Sequence, residues 1–403
     1  MRQQYKKNAN SRSDLLTLLS EASEIEHGLA CSYLYTAFSI KQNTEEGISW
    51  EQMHLTRKWA GQLFFVASEE MLHLSQVWNL TLAIGGLPYY LRPNFPINSK
   101  YYHFDLPVSL EPFSERVMEM FKMYELPRDL SEKEFVQSKF DVSFEDGFDY
   151  KSVGELYEMI AAGIKKIPES ELFIGNPNLQ VGSDVIDFPD IIKVTDKKSA
   201  LAAINLIVEQ GEGTLTDEKN SHYFIFSKVL EELSNEKAEN NDFNPARDII
   251  SNPITYNKGN LQLTNGNIIT DPLAVQIADL LDDLYVLMMQ ILQFVFITEN
   301  KLKAKELGKF AIHIMPSVIK PLSESLHRVN AGIQYPNLGA GPSFTMNRHI
   351  GLPNNFNTSI ILIMERLNEI INRGSLLIKN DGTPESFKHA MENLDKLTLK
   401  LKK

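Results

Sequence analysis

One cysteine, Cys31, stands among 403 residues. A lone thiol builds no intrachain disulfide framework and no cysteine-cluster metal site, and this scarcity fits a reducing compartment. Positive charge is also in short supply. Forty Lys and Arg against 52 Asp and Glu leave a net charge of −12, whereas nucleic-acid binders usually carry a basic face. No nucleic-acid partner is expected. There is no Gly-rich phosphate loop and no G-x-S-x-G turn, the marks of P-loop nucleotide binding and of a hydrolase nucleophile. The most apolar run, Leu284 to Ile297, has 14 residues and carries Gln290. It is too short to span a bilayer and suits a buried helix. The opening MRQQYKKNANSRSD places basic residues before no apolar run and does not read as a secretory signal. The expectation is a cytoplasmic protein with no membrane association.

What is present is an ordinary globular composition, 43% hydrophobic and 23% charged, on a chain long enough for a large core. Its organising stretch is residues 59–85, WAGQLFFVASEEMLHLSQVWNLTLAIG. Apolar residues from Leu63 to Leu80 cover most of the circumference of the predicted helix, and a helix apolar all round is buried. In its middle stand Glu70 and His73. Three positions apart, they share one helical face. A buried carboxylate and imidazole need a partner or a metal ion, and Glu-x-x-His is the pair that di-iron and di-manganese four-helix bundles use. By itself the motif more often marks a charged surface turn; here the apolar flanks argue against that.

The spacing predicts a first helix over 13–41, with Ser13 or Asp14 as its cap. Glu24 and His27 also have Glu-x-x-His spacing, but Glu26 extends the stripe of Ala30 and Tyr33 and is the favoured inward carboxylate. The second helix runs from about Glu51 to Ile84 and ends at Gly85-Gly86, with Pro88 beyond. The two form an antiparallel hairpin. Residues 87–150 read as irregular, with short helices such as Ser114–Tyr124, and 151–165 as another helix. A third core helix, Lys198 to Gln210, ends at Gly211-Glu212-Gly213, and a fourth starts near Asp217 with His222 in its first turns. Glu209, Glu212, Glu218 and His222 then meet at one corner, with a solvated turn as the plain alternative for Glu212 and Glu218. Leu206 and Val208 suggest burial as far as Glu209. A bundle with one long crossover would bring Glu209, Glu70, His73, His222 and Glu26 to one level of the core.

Beyond a loop-rich link, Asp271 and Pro272 open a long helix to Ile297. Residues 301–328 are helical with breaks at Pro316 and Pro321, and two more helices follow at about 357–372 and 384–401. The Gly/Pro/Asn-rich stretch 330–356 is long enough for a loop with a function. His313 and His327 lie on apolar helices and read as core residues rather than ligands. The division expected is a bundle over 1–240, with 86–197 as its crossover insertion, and a C-terminal helical extension over 241–403 packed on it.

EIEHGLACSYLYTAFSI, ASEEMLHL, IGGLPYYLRPNFP, DLPVSLEPFS, VGELYEMI, IVEQGEG and SHYFIF occur in that order. Together they resemble the ferritin-like family named for iminophenyl-pyruvate dimer synthase. Its domain also occurs in the violacein, rebeccamycin and staurosporine pathway enzymes that couple two oxidised aromatic amino acids. The resemblance covers roughly 13–235. The segment with DFNPARDIISNP and AGPSF is similar to the C-terminal extension of stand-alone members. It implies an all-α, ferritin-like four-helix bundle with a long crossover and additional C-terminal helices.

It also implies Glu26, Glu70, His73, Glu209 and His222 as metal ligands. The fourth helix departs from the pattern, because Lys219 stands three before His222; Glu218 or Glu212 would complete the second position, and a mononuclear or mixed-metal site stays open. Imidazole with carboxylates suits two iron ions, or manganese. The implied activity is a non-haem iron oxidase or oxygenase using dioxygen on a small amino-acid-derived or natural-product substrate, held near Tyr33, Phe64 and Phe65, with oxidative coupling of imine intermediates as one form. The alternative is a ferritin-like iron-binding or ferroxidase protein without organic substrate. The enzyme would be a small homo-oligomer, whereas iron storage would need a closed shell of many subunits.

Overall fold

The computed structural model describes residues 8–98, 102, 107–127, 150, 152–211, 213, 221–255, 266–346 and 350–401. Helix α1, Arg12–Ser39, begins where the Ser11 hydroxyl accepts the Asp14 amide. Helix α2, Trp50–Ala83, begins at a capping box of Ser49 and Gln52, which satisfies two amides that the first turn leaves free. Between them Gly47 takes φ 81°, a conformation that costs glycine little. The two helices pack along their length. Their packing is dense because both are apolar nearly all round; Trp59, Trp78, Tyr33 and Tyr35 are fully buried.

Helix α3, Glu115–Tyr124, packs on α6, His222–Glu239; α4, Val153–Lys166, packs on α1 and on α5, Lys197–Gly211, which also meets α2. Tyr33, Phe121 and Phe226 join α1, α3 and α6, with ring centroids 4.6–5.3 Å apart, within the range of favourable aromatic pairs. The helices expected at 114–124 and 151–165 within the crossover are thus present as α3 and α4, and they pack on the bundle.

Helix α7, Pro272–Ile297, starts as its sequence predicts: Asp271 accepts the amides of Leu273 and Ala274, and Pro272 fills the first turn. It is long and apolar enough to cross a membrane by length and composition, yet 72% of its most apolar window is buried inside the protein. Helix α8, Lys301–Ile314, passes through a π-helical turn, Met315–Ile319, into α9, Lys320–Leu326. The predicted break at Pro316 therefore takes the form of a widened turn. Helices α10, Phe356–Leu377, and α11, Glu385–Leu401, complete the chain. A two-residue parallel strand pair, Pro253–Ile254 with Asn267–Ile268, is the extent of sheet among the described residues.

The later helices close on the α1–α2 hairpin. Trp78 meets Phe296 edge-on at 5.1 Å. The Tyr35 hydroxyl donates to the Ile250 carbonyl. Gly341 lies so close to Tyr35 that a Cβ there would fall 2.5 Å from the hydroxyl. Arg92 donates to the Phe344 carbonyl at 2.7 Å, and the Asn94 side chain pairs with both the amide and the carbonyl of Met346.

Candidate metal centre

The inner face of α2 carries Trp59, Leu63, Val66, Glu70 and His73, all buried. Glu70 lies at the centre of two groups of ligating side chains. Glu26, Glu70 and His73 form one; Glu70, Glu125 and His222 form the other; within each group the ligand atoms lie within 4.8 Å of one another, and every residue is buried. Glu70 divides its oxygens between them. Its Oε2 is 3.3 Å from His73 Nδ1 and its Oε1 is 2.9 Å from His222 Nδ1. The sets are completed by Glu26 Oε2, 3.5 Å from His73 Nδ1, and by Glu125 Oε1, 3.6 Å from His222 Nδ1.

Outer contacts fix both imidazoles. His73 Nε2 lies 3.0 Å from Gln210 Oε1, and His222 Nε2 lies 3.1 Å from Glu69 Oε2. Each acceptor holds the Nε2 hydrogen and turns Nδ1 inward, the arrangement that orients metal-ligating histidines. Two buried phenols hold the terminal carboxylates. Tyr157 donates to Glu26 Oε1, and Tyr33 donates to Glu125 Oε1 at 2.6 Å. Two sequence features deliver these groups. Glu125 caps the C-terminal end of α3. His222 is the first residue of α6, behind the Ser221 N-cap.

The residues fit metal ions. Glu70 Oε1 and His222 Nδ1 are close but not aligned for a hydrogen bond, and both are buried without one. A buried polar atom left so needs an explanation, and a bound ion is one. For bonds of about 2.1 Å, two ligand atoms on one ion lie roughly 3.0 Å apart at a right angle and roughly 3.4 Å apart in a tetrahedron. The inward distances of 2.9–3.6 Å match such edges. A cavity of about 20 Å³ lies between Glu26, Glu70, His73, Glu125 and Tyr157, space for an ion or a water rather than for an organic molecule.

Charge is concentrated here. Burial and the neighbouring Glu70 carboxylate push Glu26 up to about 7. Burial opposes the charged form of His73, but hydrogen bonds and charge from Glu26 and Glu70 outweigh it and push the imidazole up to about 10. His222 is likewise raised, burial being outweighed by Glu70 and Glu125. Burial and the repulsion of Glu125 work to raise Glu70, yet its two imidazoles hold it below the usual carboxylate range. A cation held between these groups would stabilise the carboxylates that burial disfavours.

Of the expected ligands, the structure brings Glu26, Glu70, His73 and His222 together. Glu209 differs: it is exposed, and among the described residues it joins neither group. Ala200, Ala203, Ile204, Ile207 and Gly211 are the buried positions of α5, so position 209 lies on the far side of the helix and Gln210 is the residue that reaches inward. Glu212 and Glu218 lie outside the described residues. His27, the rival to Glu26's register, faces the other way: its Nδ1 donates to the Tyr90 carbonyl at 2.6 Å and its Nε2 accepts from the Tyr285 hydroxyl at 2.8 Å. His313 is exposed and donates to the Lys309 carbonyl. His327 joins neither group. The three aromatics expected around a substrate do not converge: Tyr33 serves the centre, Phe64 faces a separate cavity, and Phe65 is 50% exposed. Glu69, Glu125, Tyr157 and Gln210 were not anticipated. The Glu69-Glu70 doublet and the carboxylate closing the predicted 114–124 helix were signals for two of them.

A helical bundle whose inward carboxylates and imidazoles share a central glutamate has the form of a ferritin-like fold with groups that could hold metal ions. The chain belongs to the ferritin-like family, whose model matches residues 19–231. A ferritin-like protein from Caulobacter vibrioides superposes with a TM-score of 0.51 at 17% identity, covering 84% of this chain and all of that one, a likeness of fold. The chain also resembles two enzymes in sequence. It is similar to dichlorochromopyrrolate synthase of Lentzea aerocolonigenes, 30% identical over 376 residues, 84% of this chain and 36% of that protein. It is also similar to 2-imino-3-(indol-3-yl)propanoate dimerase of Chromobacterium violaceum, 26% identical over 355 residues, 80% of this chain and 33% of that protein. The chain spans about a third of the length of these curated relatives.

Proposed function

We propose that the protein is a non-haem iron oxidase or oxygenase that binds two ferrous ions and uses dioxygen to oxidise a small amino-acid-derived substrate, with oxidative coupling of imine-type intermediates as the reaction class. The observation that carries this reading is the division of Glu70 between two carboxylate–imidazole groups whose Nε2 hydrogens are held from outside. Glu26 and His73 would hold one ion, Glu125 and His222 the other, and Glu70 both. Bound iron supplies one-electron redox chemistry and open positions for dioxygen. The residues around it have separate tasks. Tyr157 and Tyr33 hold one oxygen of Glu26 and of Glu125, so neither carboxylate is free to swing. Gln210 and Glu69 keep each Nδ1 lone pair turned inward. Leu29, Ile207 and Val208 line the cavity and make that part of its wall apolar. Two names among the relatives support the coupling reaction, a dichlorochromopyrrolate synthase and a 2-imino-3-(indol-3-yl)propanoate dimerase.

One observation favours a second reading, iron oxidation with no organic substrate: the 20 Å³ space at the centre admits a diatomic molecule but no aromatic acid. One experiment separates the two. Anaerobic protein is titrated with ferrous iron, then exposed to air, with dioxygen uptake and size-exclusion iron detection. The enzyme reading expects about two iron per chain, uptake of a few equivalents that stops without substrate, and a small particle. Hundreds of iron atoms eluting with a cage-sized particle after roughly hundredfold excess iron would replace it with storage; no ferrous binding would remove both.

A further inference from the structure

A second, larger cavity lies on the other side of the α1–α2 hairpin. Its volume is about 390 Å³, within the size range of small-molecule pockets. The α2 residues on it, Phe64, Ala67, Ser68 and Met71, sit about 140° around the helix from Glu70 and His73 at roughly 100° per residue. Leu34 and Phe38 of α1, Met288 and Leu292 of α7, and the π-helical turn at Met315 and Pro316 form much of the remaining wall. It therefore belongs to the seam between the bundle and the later helices, apart from the metal centre.

Its chemistry is lopsided. Apart from Ser68 and Lys320 its lining is apolar. Lys320 is half-buried; its ammonium sits 5.0 Å over the Phe64 ring, and among the described residues it makes no ion pair. Nearby Lys309, by contrast, is paired with Glu306 at 2.9 Å. A cation held against an aromatic face at the rim of an apolar chamber is a receptor for one negative charge on an apolar body. Met71, Met288 and Met315 give the chamber adaptable, polarizable walls. The π-helical turn that delivers Lys320 is a feature that recurs at functional sites.

We propose that this cavity binds an apolar monocarboxylate, its acid group on Lys320 beside Phe64 and its body between Met71, Met288 and Met315. The site is independent of the metal centre, and its occupant is distinct from whatever reaches Glu70.

The test is isothermal titration calorimetry of the full chain with 4-phenylbutanoate and with decanoate, an aromatic and an aliphatic body, and with 4-phenylbutanamide as the uncharged control. The proposal expects saturable one-to-one binding of at least one acid and weakening of about tenfold or more for the amide, the loss of a charge-assisted contact. Lys320→Met should give the same weakening. Ser68→Trp, which fills the chamber from its exposed rim, should abolish binding while circular dichroism stays unchanged. Glu70→Ala should leave the affinity untouched, which separates this site from the metal centre. Absence of binding by both acids overturns the proposal. So does equal affinity for acid and amide, or binding that survives Lys320→Met and Ser68→Trp but disappears in Glu70→Ala.

Discussion

Glu69 Oε2 lies 3.1 Å from Nε2 of His222, while the next residue, Glu70, reaches Nδ1 of the same ring at 2.9 Å. Two consecutive carboxylates thus grip both edges of one imidazole. Outer partners of this kind typically change metal affinity 10–100-fold when removed. Glu69→Ala is expected to weaken ferrous binding at one of two positions by about tenfold or more, whereas Glu69→Gln, which keeps an acceptor oxygen, changes it less. Gln210→Ala should act in the same way on the position of His73. Anaerobic calorimetry resolves the two positions; unaltered affinity in both alanine variants would show that the outer contacts are decorative.

Sharing of Glu70 sets a stoichiometric expectation. Glu70→Ala should lose both ions, and Glu125→Ala or Glu26→Ala only one, for a two-metal site. The helical circular dichroism should persist, because most stabilising contacts of α2 are apolar. Metal analysis after anaerobic loading checks this. Glu212→Ala and Glu218→Ala belong in the same series: a loss of one ion in either, with none in Glu125→Ala, would place the second position at the corner between α5 and α6.

The Tyr285 hydroxyl bridges His27 Nε2 at 2.8 Å and Cys31 Sγ at 3.1 Å, entirely within the core. Tyr285→Phe leaves the imidazole acceptor buried and unpaired, which costs about 1–3 kcal/mol. Urea unfolding should show a lower midpoint at unchanged slope. A midpoint equal to that of the parent would mean that the bridge contributes nothing net.

Asp282 should make stability depend on pH. Burial raises its carboxyl to about 8, against the hydrogen bond from Ser343. A group with a raised folded pKa binds its proton more tightly when folded, so its contribution is complete below about pH 4 and is lost as pH rises through about 8. Asp282→Asn cannot ionise. The difference in unfolding free energy between parent and variant should therefore shift in favour of the variant from pH 5 to pH 8.5. A constant difference over that range would refute the assignment.

Much of this was legible in the residues. The caps Asp271-Pro272 and the apolar runs of α1, α2 and α7 read directly as helices, because a continuous apolar surface has one solution, burial. Glu70 and His73 stood out since a charge inside such a surface is costly unless matched. The stripe of Ala30 and Tyr33 favours Glu26 over Glu24, and Glu26 is buried beside Glu70 and His73. Glu209 failed because Leu206 and Val208 are flanking, half-buried positions of α5 rather than its core face; one residue of helical phase separates it from Gln210. Glu125 was hidden for a different reason. It sits at the end of a ten-residue helix inside a stretch rich in proline and aromatics, where no local periodicity tells which residue will face a partner far along the chain.

The seam between the bundle and the later helices has a consequence for how the chain can be divided. Residues 340–346 are held by Arg92, Asn94 and Asp282 together, with Gly341 pressed on Tyr35. A cut near residue 240, where composition places a boundary, would leave Tyr35, His27 and Trp78 facing solvent. Grafting residues 1–240 onto another protein would transplant half of a shared interior, and an inserted fusion partner is better placed at the exposed tip around Ile333.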